Sequence, residues 1–417
     1  MSVFVVDGGK RLSGEVKVQG SKNSTLPILA ATLLCGGESV LFNCPRLSDV
    51  EASLDILRYI GCKAKREDGT VIVDTGSLSR SEIPSQLMHR MRSSIIFLGA
   101  MVARFDRVRM TFPGGCELGP RPIDLHLSAL RQMGVVINEE HGVLDCSIDD
   151  CLHGADISLP IPSVGATENI MIAAATARGT TTVSNAAREP EIVDLADFLN
   201  ACGARISGAG GSTIVIEGAS DLHPASHSII PDRIVAATLM SAAAVTGSDV
   251  RFTGVVPSHL ESVLPVFRDS GCYIDISGDG LRLSAPFRLT APKLIRTMPY
   301  PGFPTDAQAP VMSMAAVADG MTVFVENMFL SRYSHVSELC RLGANIRVEG
   351  KVAVVDGVRR LLSAEVTAHD LRGAAALVVA ALCADGESRI RGIEYLERGY
   401  EDMELVLSSL GADIKKI

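Results

Sequence analysis

The residue best suited to chemistry is a cysteine in a loop rich in glycine and proline. Cys116 lies in the segment 113–122, where three glycines and three prolines among ten residues exclude a helix or a strand interior. Arg121 follows five residues later, and a nearby cation favours the thiolate form that makes a cysteine reactive. Burial is the commoner fate of cysteine, but the flanking glycines and polar neighbours favour exposure here. The loop therefore predicts a reactive cysteine.

Basic residues stand at the beginnings of several apolar segments that we interpret as buried helices. Lys22, Arg92 and Arg372 each occupy such a position, where the helix dipole disfavours a cation and attracts an anion. Several cations placed in this way predict a heavily anionic ligand, such as a phosphorylated acid and a nucleotide diphosphate. Hydroxyl residues at the same positions have an ordinary explanation as helix N-caps. That alternative covers Ser24, Ser93 and Thr305.

The elements that must position these residues form a repeat that occurs six times. A short apolar run ends in a glycine at intervals of 73, 69, 68, 72 and 68 residues, and each glycine is typical of a helix end that leads into a strand. These glycines are Gly61, Gly134, Gly203, Gly271, Gly343 and Gly411. Six segments of small apolar residues alternate with them, at 28–34, 95–103, 170–177, 235–245, 311–318 and 374–384. Because they are apolar on nearly all sides, they predict buried helices.

Six repeats of about 70 residues predict an α/β fold of two similar domains. Three repeats close into one globule, with buried helices inside and sheets outside. A continuous α/β solenoid is the alternative, but it would bury helices that are apolar all round less completely. A chain of 417 residues has room for two or three domains.

Composition argues against several classes of function. The net charge is −9 and no basic run occurs, which argues against a nucleic-acid partner. The N-terminus has no signal-peptide pattern and no apolar run reaches the length of a membrane span. We therefore expect a cytoplasmic protein whose ten cysteines are free thiols. No CxxC pair, P-loop or GxGxxG fingerprint occurs, so neither a metal nor a nucleotide cofactor is expected. No GxSxG elbow occurs either, although composition alone leaves a Ser/His/Asp triad open.

Motifs along essentially the whole chain resemble the family of UDP-N-acetylglucosamine 1-carboxyvinyltransferases. They lie at residues 12–16, 21–23, 113–116, 119–126, 163–167, 186–194, 301–306, 370–372 and 397–400. The related shikimate-pathway transferases share the fold but lack the cysteine loop. The resemblance implies an EPSP synthase-like fold of two inside-out α/β barrel domains, each with three βαβαββ units. It implies one domain at residues 22–229 and a second formed by residues 1–21 plus 230–417.

The resemblance also implies a reaction. The enolpyruvyl group of phosphoenolpyruvate would pass to the 3′-hydroxyl of UDP-N-acetylglucosamine through a tetrahedral intermediate, with release of phosphate, as the first committed step of peptidoglycan synthesis. Asp306 would take the proton from the attacking hydroxyl. Cys116 would donate a proton to C3 of the enol ether, and would also be able to form a covalent adduct with phosphoenolpyruvate.

Further site residues are implied by their places in the motifs. Lys22 and Asn23 would bind phosphoenolpyruvate, while Arg121 and Arg398 would hold its phosphate and carboxylate with Arg92 nearby. Lys22 and Arg398 would also take part in catalysis. The nucleotide sugar would contact Arg121, Pro122, Ile123, Asp124, Leu125, Ser163, Val164 and Met328. The remaining implied substrate contacts are Arg332, Asp370, Leu371 and Arg372. No cofactor or metal is implied, and the oligomeric state stays open, a monomer included.

Two departures from the family pattern affect single contacts. The segment 324–333 is one residue shorter than the pattern, which bears on Met328 and Arg332. Residue 161 is isoleucine where some relatives carry a lysine that contacts the uridine diphosphate.

Two other functions remain as alternatives. A shikimate-type transferase would act on shikimate 3-phosphate instead of the nucleotide sugar. A non-catalytic binding paralogue would need no acid–base pair, so the presence of Cys116 and Asp306 argues against it.

Overall fold

The computed structural model describes residues 2–114, 123–278 and 280–417. The described chain divides into two units. The N-terminal unit consists of residues 20–114 and 123–230, and the C-terminal unit consists of residues 2–19 together with Pro231–Ile417. Three predicted site residues, Cys116, Arg121 and Pro122, lie outside the described residues. The chain begins with strands β1 (Phe4–Asp7) and β2 (Ser13–Lys17), both in the C-terminal unit.

The N-terminal unit contains short strands and helices in regular alternation. Its strands are β3 (Glu38–Phe42), β4 (Lys63–Glu67), β5 (Thr70–Asp74), β6 (Glu82–Ile83), β7 (Arg107–Thr111), β8 (Val135–Glu140), β9 (Val143–Ile148), β10 (Asp156–Ser158), β11 (Thr180–Ser184), β12 (Arg205–Ser207), β13 (Thr213–Glu217) and β14 (Ser226–Ser228). Its helices are α1 (Lys22–Ala31), α2 (Ser48–Ile60), α3 (Ser85–Met88), α4 (Phe97–Val102), α5 (Asp124–Gln132), α6 (Val164–Ala174) and α7 (Pro190–Ala201). A 3₁₀ helix at Thr32–Leu34 continues α1, and another at Arg92–Ile96 leads into α4.

The C-terminal unit repeats the same alternation. Its further strands are β15 (Asp249–Thr253), β16 (Tyr273–Ser277), β17 (Gly280–Ser284), β18 (Leu294–Arg296), β19 (Met321–Val325), β20 (Asn345–Glu349), β21 (Val352–Asp356), β22 (Leu361–Leu362), β23 (Glu365–Thr367), β24 (Ala384–Asp385), β25 (Glu387–Arg391) and β26 (Asp413–Lys416). Its helices are α8 (Arg233–Val245), α9 (Leu264–Asp269), α10 (Thr305–Ala315), α11 (Val336–Arg341), α12 (Leu371–Leu382) and α13 (Met403–Ser409). Two 3₁₀ helices complete the unit, at Pro257–Leu260 and Ile393–Arg398.

Each unit carries three four-stranded sheets of one pattern among its described residues. An edge strand runs parallel to the second strand, and the third and fourth strands follow antiparallel. In the N-terminal unit the orders are β14-β3-β5-β4, β6-β7-β9-β8 and β10-β11-β13-β12. In the C-terminal unit they are β2-β15-β17-β16, β18-β19-β21-β20 and β23-β25-β1-β26. A short parallel pair, β22-β24, accompanies the last sheet.

Three inner helices form the centre of each unit. Helices α1, α4 and α6 contact one another in the N-terminal unit, and α8, α10 and α12 do so in the C-terminal unit. They are rich in alanine and buried on every side, as residues 234–244 of α8 show. The predicted α/β architecture with buried central helices is confirmed. Among the described strands, the sheets of a unit are not hydrogen-bonded to one another, so "barrel" describes three sheets placed around helices.

The inner helices begin earlier than their apolar segments suggested. Lys22 is the first residue of α1, Asp306 is the second of α10, and Arg372 is the second of α12. These polar residues were expected just before the helices, but they occupy the first turn. The first turn presents unpaired N–H groups, so polar side chains belong there more readily than in the buried middle.

The glycines that were predicted to end helices do so in the left-handed conformation. Gly61 closes α2 with a φ of 115°, a conformation that a side chain would strain. The other five glycines of the repeat also have positive φ, at Gly134, Gly203, Gly271, Gly343 and Gly411. This prediction is confirmed.

Two edge strands pair away from the helices that follow them. Strand β2 leads directly into α1 but pairs with β15, whereas β14 leads into α8 but pairs with β3. Strand β1 lies between β25 and β26 and completes the last sheet. Both ends of the chain are therefore built into the C-terminal unit. Within the described ranges, no helix combines the length and apolar character that a membrane crossing requires.

Candidate active site

A carboxylate held by two arginines stands at the start of α10. Asp306 Oδ1 lies 2.6 Å from the guanidinium of Arg332, and Asp306 Oδ2 lies 2.9 Å from that of Arg372. The two arginine side chains are 1% and 5% exposed, whereas the Asp306 side chain is 29% exposed. The cations are therefore enclosed and the carboxylate is the open member of the cluster.

Electrostatics keep this carboxylate ionised. Burial would raise the pKa of Asp306, but the positive charges of Arg372 and Arg332 outweigh burial and hold the pKa well below its usual range. A carboxylate with such a low pKa is a weak proton acceptor. Its strength as a base depends on whether both guanidinium groups stay in place.

Tyr400 supports Arg372 from behind. The Arg372 guanidinium donates to the Tyr400 hydroxyl at 3.2 Å and lies 5.6 Å from the centre of the tyrosine ring. The same hydroxyl is 2.9 Å from the Thr238 hydroxyl of α8. Burial raises the pKa of Tyr400, so its hydroxyl stays protonated. Sequence reasoning assigned Tyr400 no role, although its motif was singled out.

Arg332 is enclosed by the loop that carries Met328. The Arg332 guanidinium donates to the carbonyl of Thr305 at 2.9 and 3.2 Å. The Thr305 hydroxyl donates to Glu326, and Glu326 Oε1 accepts the N–H groups of Met328 and Phe329 at 2.8 and 3.1 Å. The Nε and Nη2 groups of Arg332 thus donate within the protein, and Nη2 holds Asp306. Glu326 was missed because nothing nearby in the sequence marks it.

Asp370 is the N-cap of α12. Its Oδ1 accepts the N–H groups of Arg372 and Gly373, both at 3.0 Å, and its Oδ2 accepts the Ser334 hydroxyl at 2.9 Å.

His335 donates from Nδ1 to the carbonyl of Arg332 at 3.1 Å. Burial lowers the pKa of His335 to about 4, against the opposite pull of Asp370, so the ring is neutral at pH 7.

Arg398 and Leu371 are brought together by close packing. Leu371 is half-buried at the start of α12, and a Cβ placed on Gly399 would lie 2.8 Å from its Cδ2. A larger residue at that position would require the Leu371 side chain to shift. The 3₁₀ helix Ile393–Arg398 packs on α12 and ends in Arg398 beside this contact.

Lys22 has a carboxylate partner of its own in the N-terminal unit. Its Nζ lies 2.6 Å from Asp49 Oδ2, and these side chains are 11% and 3% exposed. Asn23 follows at the second position of α1 and is half-buried. The inference that misplaced cations require a bound anion is therefore weakened, because Asp49 and Asp306 supply protein anions to Lys22 and Arg372.

A second cluster joins the starts of α5 and α6. Asn169 Nδ2 donates to His126 Nδ1 at 2.7 Å and to the carbonyl of Ile95 at 3.0 Å. Burial and the nearby charge of Arg92 lower the pKa of His126 to about 4. A Cβ on Gly165 would approach the His126 ring to 3.0 Å, so the two helix starts are in close contact.

This contact gathers most predicted nucleotide-sugar residues of the N-terminal unit. Asp124 is exposed at the start of α5, Leu125 is half-buried and Ile123 is buried. Ser163 caps α6 by accepting the N–H of Ala166 at 3.4 Å, and Val164 is its first residue. Neither His126 nor Asn169 was predicted to have a role, although His126 lies inside a quoted motif.

The hydroxyl residues expected to be N-caps are not the caps. Ser24 donates to the carboxylate of Asp194, Thr305 donates to Glu326, and no side chain caps the 3₁₀ helix that contains Ser93. For Ser24 and Thr305 the N-cap interpretation was wrong because buried carboxylates elsewhere in the chain accept these hydroxyl groups. The observed caps of inner helices are Ser21, Ser163, Asp232 and Asp370.

Metal binding has no support among the described residues. No group of three or more histidine, cysteine, aspartate or glutamate side chains in those ranges is arranged to hold a metal ion. In each unit, the described charged and hydroxyl groups suit an anionic organic ligand.

The family and the relatives that this chain matches are named as carboxyvinyltransferases. The chain matches the family described as EPSP synthase (3-phosphoshikimate 1-carboxyvinyltransferase) over residues 6–407. It is 48% identical to UDP-N-acetylglucosamine 1-carboxyvinyltransferase 2 of Caldanaerobacter subterraneus subsp. tengcongensis, over 100% of both chains. It is 47% identical to UDP-N-acetylglucosamine 1-carboxyvinyltransferase 1 of Carboxydothermus hydrogenoformans, over 100% of this chain and 99% of the relative.

Solved structures extend the likeness to the fold. The enolpyruvyl transferase NikO from Streptomyces tendae has a TM-score of 0.90 at 27% identity, over 100% of this chain and 98% of that one. EPSP synthase from Acinetobacter baumannii has a TM-score of 0.78 at 21% identity over the full length of both chains, which is a likeness of fold alone.

Proposed function

The chain belongs to the UDP-N-acetylglucosamine 1-carboxyvinyltransferases of the EPSP synthase family, and we propose that it transfers the enolpyruvyl group of phosphoenolpyruvate to the 3′-hydroxyl of UDP-N-acetylglucosamine. Phosphate is the second product. The reaction is the first committed step of peptidoglycan synthesis. Identity of 48% over the whole length of a relative with this name supports the choice of acceptor.

The geometry that carries the proposal is the Asp306 carboxylate between two buried guanidinium groups. Removing a proton from a hydroxyl needs a base. Stabilising a donor that bears phosphate and carboxylate needs fixed cations near the reacting atoms. Arg332 and Arg372, at 2.6 and 2.9 Å from Asp306, place a carboxylate and two cations in one cluster.

The proposed reaction is an addition followed by an elimination. The 3′ oxygen of the sugar adds to C2 of phosphoenolpyruvate while C3 gains a proton, which gives a tetrahedral intermediate. Asp306 accepts the hydroxyl proton and Cys116 donates the proton to C3. Loss of a proton from C3 and cleavage of the bond between C2 and the phosphate oxygen then complete the transfer.

Substrate binding is proposed for residues of both units. Lys22, Asn23 and Arg92 bind phosphoenolpyruvate together with Arg121 and Arg398. The nucleotide sugar binds at the starts of α5 and α6, through residues 121–125, Ser163 and Val164, and at Met328. The ring of His126 supports this assignment, because it bonds to Asn169 and lies against Gly165, which fixes the start of α5 against α6.

The low pKa of Asp306 adds a requirement to the mechanism. An anionic group of the bound substrate competes with the carboxylate for Arg372. When that guanidinium turns to the substrate, Asp306 loses an opposite charge at contact distance and its pKa rises. Substrate binding near Arg372 would therefore make Asp306 a stronger base.

Phosphate release tests the proposal directly. The chain is incubated with phosphoenolpyruvate and either UDP-N-acetylglucosamine or shikimate 3-phosphate, and inorganic phosphate is measured continuously. We expect release only with the nucleotide sugar, and none when either substrate is left out. Release with shikimate 3-phosphate alone would replace the proposed acceptor with that of the shikimate-type transferase. Tight binding of the nucleotide sugar without release would instead indicate a binding protein.

A further inference from the structure

A buried serine, aspartate and histidine are linked near the first turn of α1. The Ser24 hydroxyl donates to Asp194 Oδ2, and His227 donates from Nε2 to Asp194 Oδ1 at 2.8 Å. Ser24 is fully buried, and the side chains of Asp194 and His227 are 3% and 14% exposed. The three residues come from α1, α7 and β14, so the linkage joins three elements of the N-terminal unit.

The order of the three groups excludes the familiar hydrolytic role. In a catalytic triad the histidine lies between the hydroxyl and the carboxylate, where it removes the hydroxyl proton. Here the carboxylate lies in the middle and both neighbours donate to it. Because the serine oxygen is also fully buried, the arrangement holds structure in place and does not attack a substrate.

The linkage acts on the residues proposed to bind the enolpyruvyl donor. Ser24 is the third residue of α1, directly after Lys22 and Asn23, and its N–H is capped by the Ser21 hydroxyl at 3.4 Å. A shift of the first turn would move all of these residues together, since they share one turn of helix.

Asp194 also fixes the segment at the other end of the unit. Its Oδ2 accepts the N–H of Ile230, the last residue of the N-terminal unit, at 3.4 Å. The carbonyl of Ile230 in turn accepts the N–H of Ser21 at 2.7 Å. One carboxylate thus holds the start of α1 directly through Ser24 and indirectly through the backbone of Ile230.

We propose that Asp194, held in place by His227, is a positioning residue that sets Lys22 and Asn23 for binding of the enolpyruvyl donor. This inference rests on the proposed function. Removing the His227 donor leaves a buried carboxylate short of one hydrogen bond, which favours rotation of Asp194 away from Ser24. The first turn of α1 then loses its fixed position, and donor binding weakens more than binding of the nucleotide sugar.

The matched variants differ in one hydrogen-bond donor. His227→Phe removes the Nε2 donor but keeps an aromatic ring against Phe198, whose ring centre lies 5.7 Å from that of His227. His227→Gln keeps an amide donor at the place of Nε2. His223→Phe is the control, because His223 is exposed and lies four residues earlier in the same segment.

Phosphate release is measured against the concentration of each substrate, together with the melting temperature. We expect His227→Phe to raise the KM for phosphoenolpyruvate about tenfold, with a change below about twofold in the KM for UDP-N-acetylglucosamine. His227→Gln and His223→Phe should stay near the unmodified protein in both constants. Should His227→Phe fail to fold, Ser24→Ala removes the other donor and is expected to give the same selective rise.

Three results would overturn the inference. One is an unchanged KM for phosphoenolpyruvate in the variant that folds, and another is an equal rise in both constants. The third is a His227→Gln protein as impaired as His227→Phe. Absence of phosphate release by the unmodified chain is a different outcome, since it would refute the proposed function itself and the inference with it.

Discussion

At the scale of single residues, the chain uses carboxylates to hold cations ready. Asp49 holds Lys22, and Asp306 is held by Arg332 and Arg372. These ion pairs are largely shielded from water, so removing one partner leaves a charge with no compensation, which costs more than losing a surface pair. The loss of stability on replacing one member of a pair therefore includes the cost of leaving its partner buried and charged.

Asp306 is the residue on which turnover should depend most. Asp306→Asn keeps the size of the side chain but removes the proton acceptor, so we expect kcat to fall at least about 100-fold. Asp319→Asn is the matched control, because Asp319 is exposed and pairs with Arg288 on the surface. Steady-state phosphate release measures both. Equal rates for Asp306→Asn and the control would remove Asp306 from the mechanism.

Tyr400 tests whether Arg372 must be held from behind. Tyr400→Phe removes the hydroxyl that accepts from Arg372 and leaves Thr238 without its described side-chain partner. A hydrogen bond to a charged group contributes roughly 1.5–3 kcal/mol, so we expect kcat/KM to fall about tenfold or more. Tyr273→Phe, at a side chain that is 68% exposed, serves as the reference. If the two variants behave alike, the support given by Tyr400 has no bearing on activity.

At the scale of elements, sequence predicts the helices better than their contacts. The inner helices could be predicted because they are apolar all round, and the helix ends because glycine adopts positive φ at low cost. The acceptors of the buried hydroxyl groups could not be predicted, since Ser24 donates to a carboxylate 170 residues away. Local preference favours N-caps for such residues, and only the packed fold offers them buried acceptors.

The contact between α5 and α6 should make stability depend on pH. His126 titrates near 6.5 when unfolded and near 4 in the fold, so the unfolded chain binds more protons between these values. The stability that the neutral His126 ring contributes to the fold is fully present above pH 6.5 and is lost as the pH falls toward 4. The change is about 3 kcal/mol, from 1.36 kcal/mol per unit of pKa.

Replacing His126 should flatten that dependence. His126→Asn keeps an acceptor for Asn169 but does not titrate, so its free energy of unfolding should fall less between pH 7 and pH 4. Denaturant unfolding at both pH values gives the difference, and His141→Asn, at an exposed position, gives the reference. Parallel pH curves for His126→Asn and the unmodified chain would contradict the burial of a neutral ring.

At the scale of the whole molecule, both chain ends are structural parts of the C-terminal unit. The repeat in the sequence predicts three sheets and three inner helices per unit, and the fold has them among its described residues. The residue pattern does not predict that β2 and β14 pair away from the helices that follow them. The local sequence pattern does not distinguish the two pairings, because β2 and β14 are both edge strands that run parallel to the second strand of a sheet.

The integration of β1 predicts a large effect from a small change near the N-terminus. Val6 is fully buried between β25 and β26, opposite Ser388 and Ile414. We expect Val6→Ala to lower the free energy of unfolding by on the order of 2 kcal/mol. Val5→Ala, on the outward face of the same strand, should cost less than about 1 kcal/mol. Denaturant unfolding compares them, and equal costs would contradict the burial of this strand.

The central claim is the transfer of an enolpyruvyl group to the nucleotide sugar, and the product tests it most directly. The unmodified chain is incubated with both substrates. The released phosphate is quantified, and the sugar nucleotide is identified by mass spectrometry and NMR. The account predicts a carboxyvinyl ether on the 3′ oxygen and one phosphate per molecule of product. Sugar nucleotide recovered unchanged, while phosphoenolpyruvate remains intact, would contradict it.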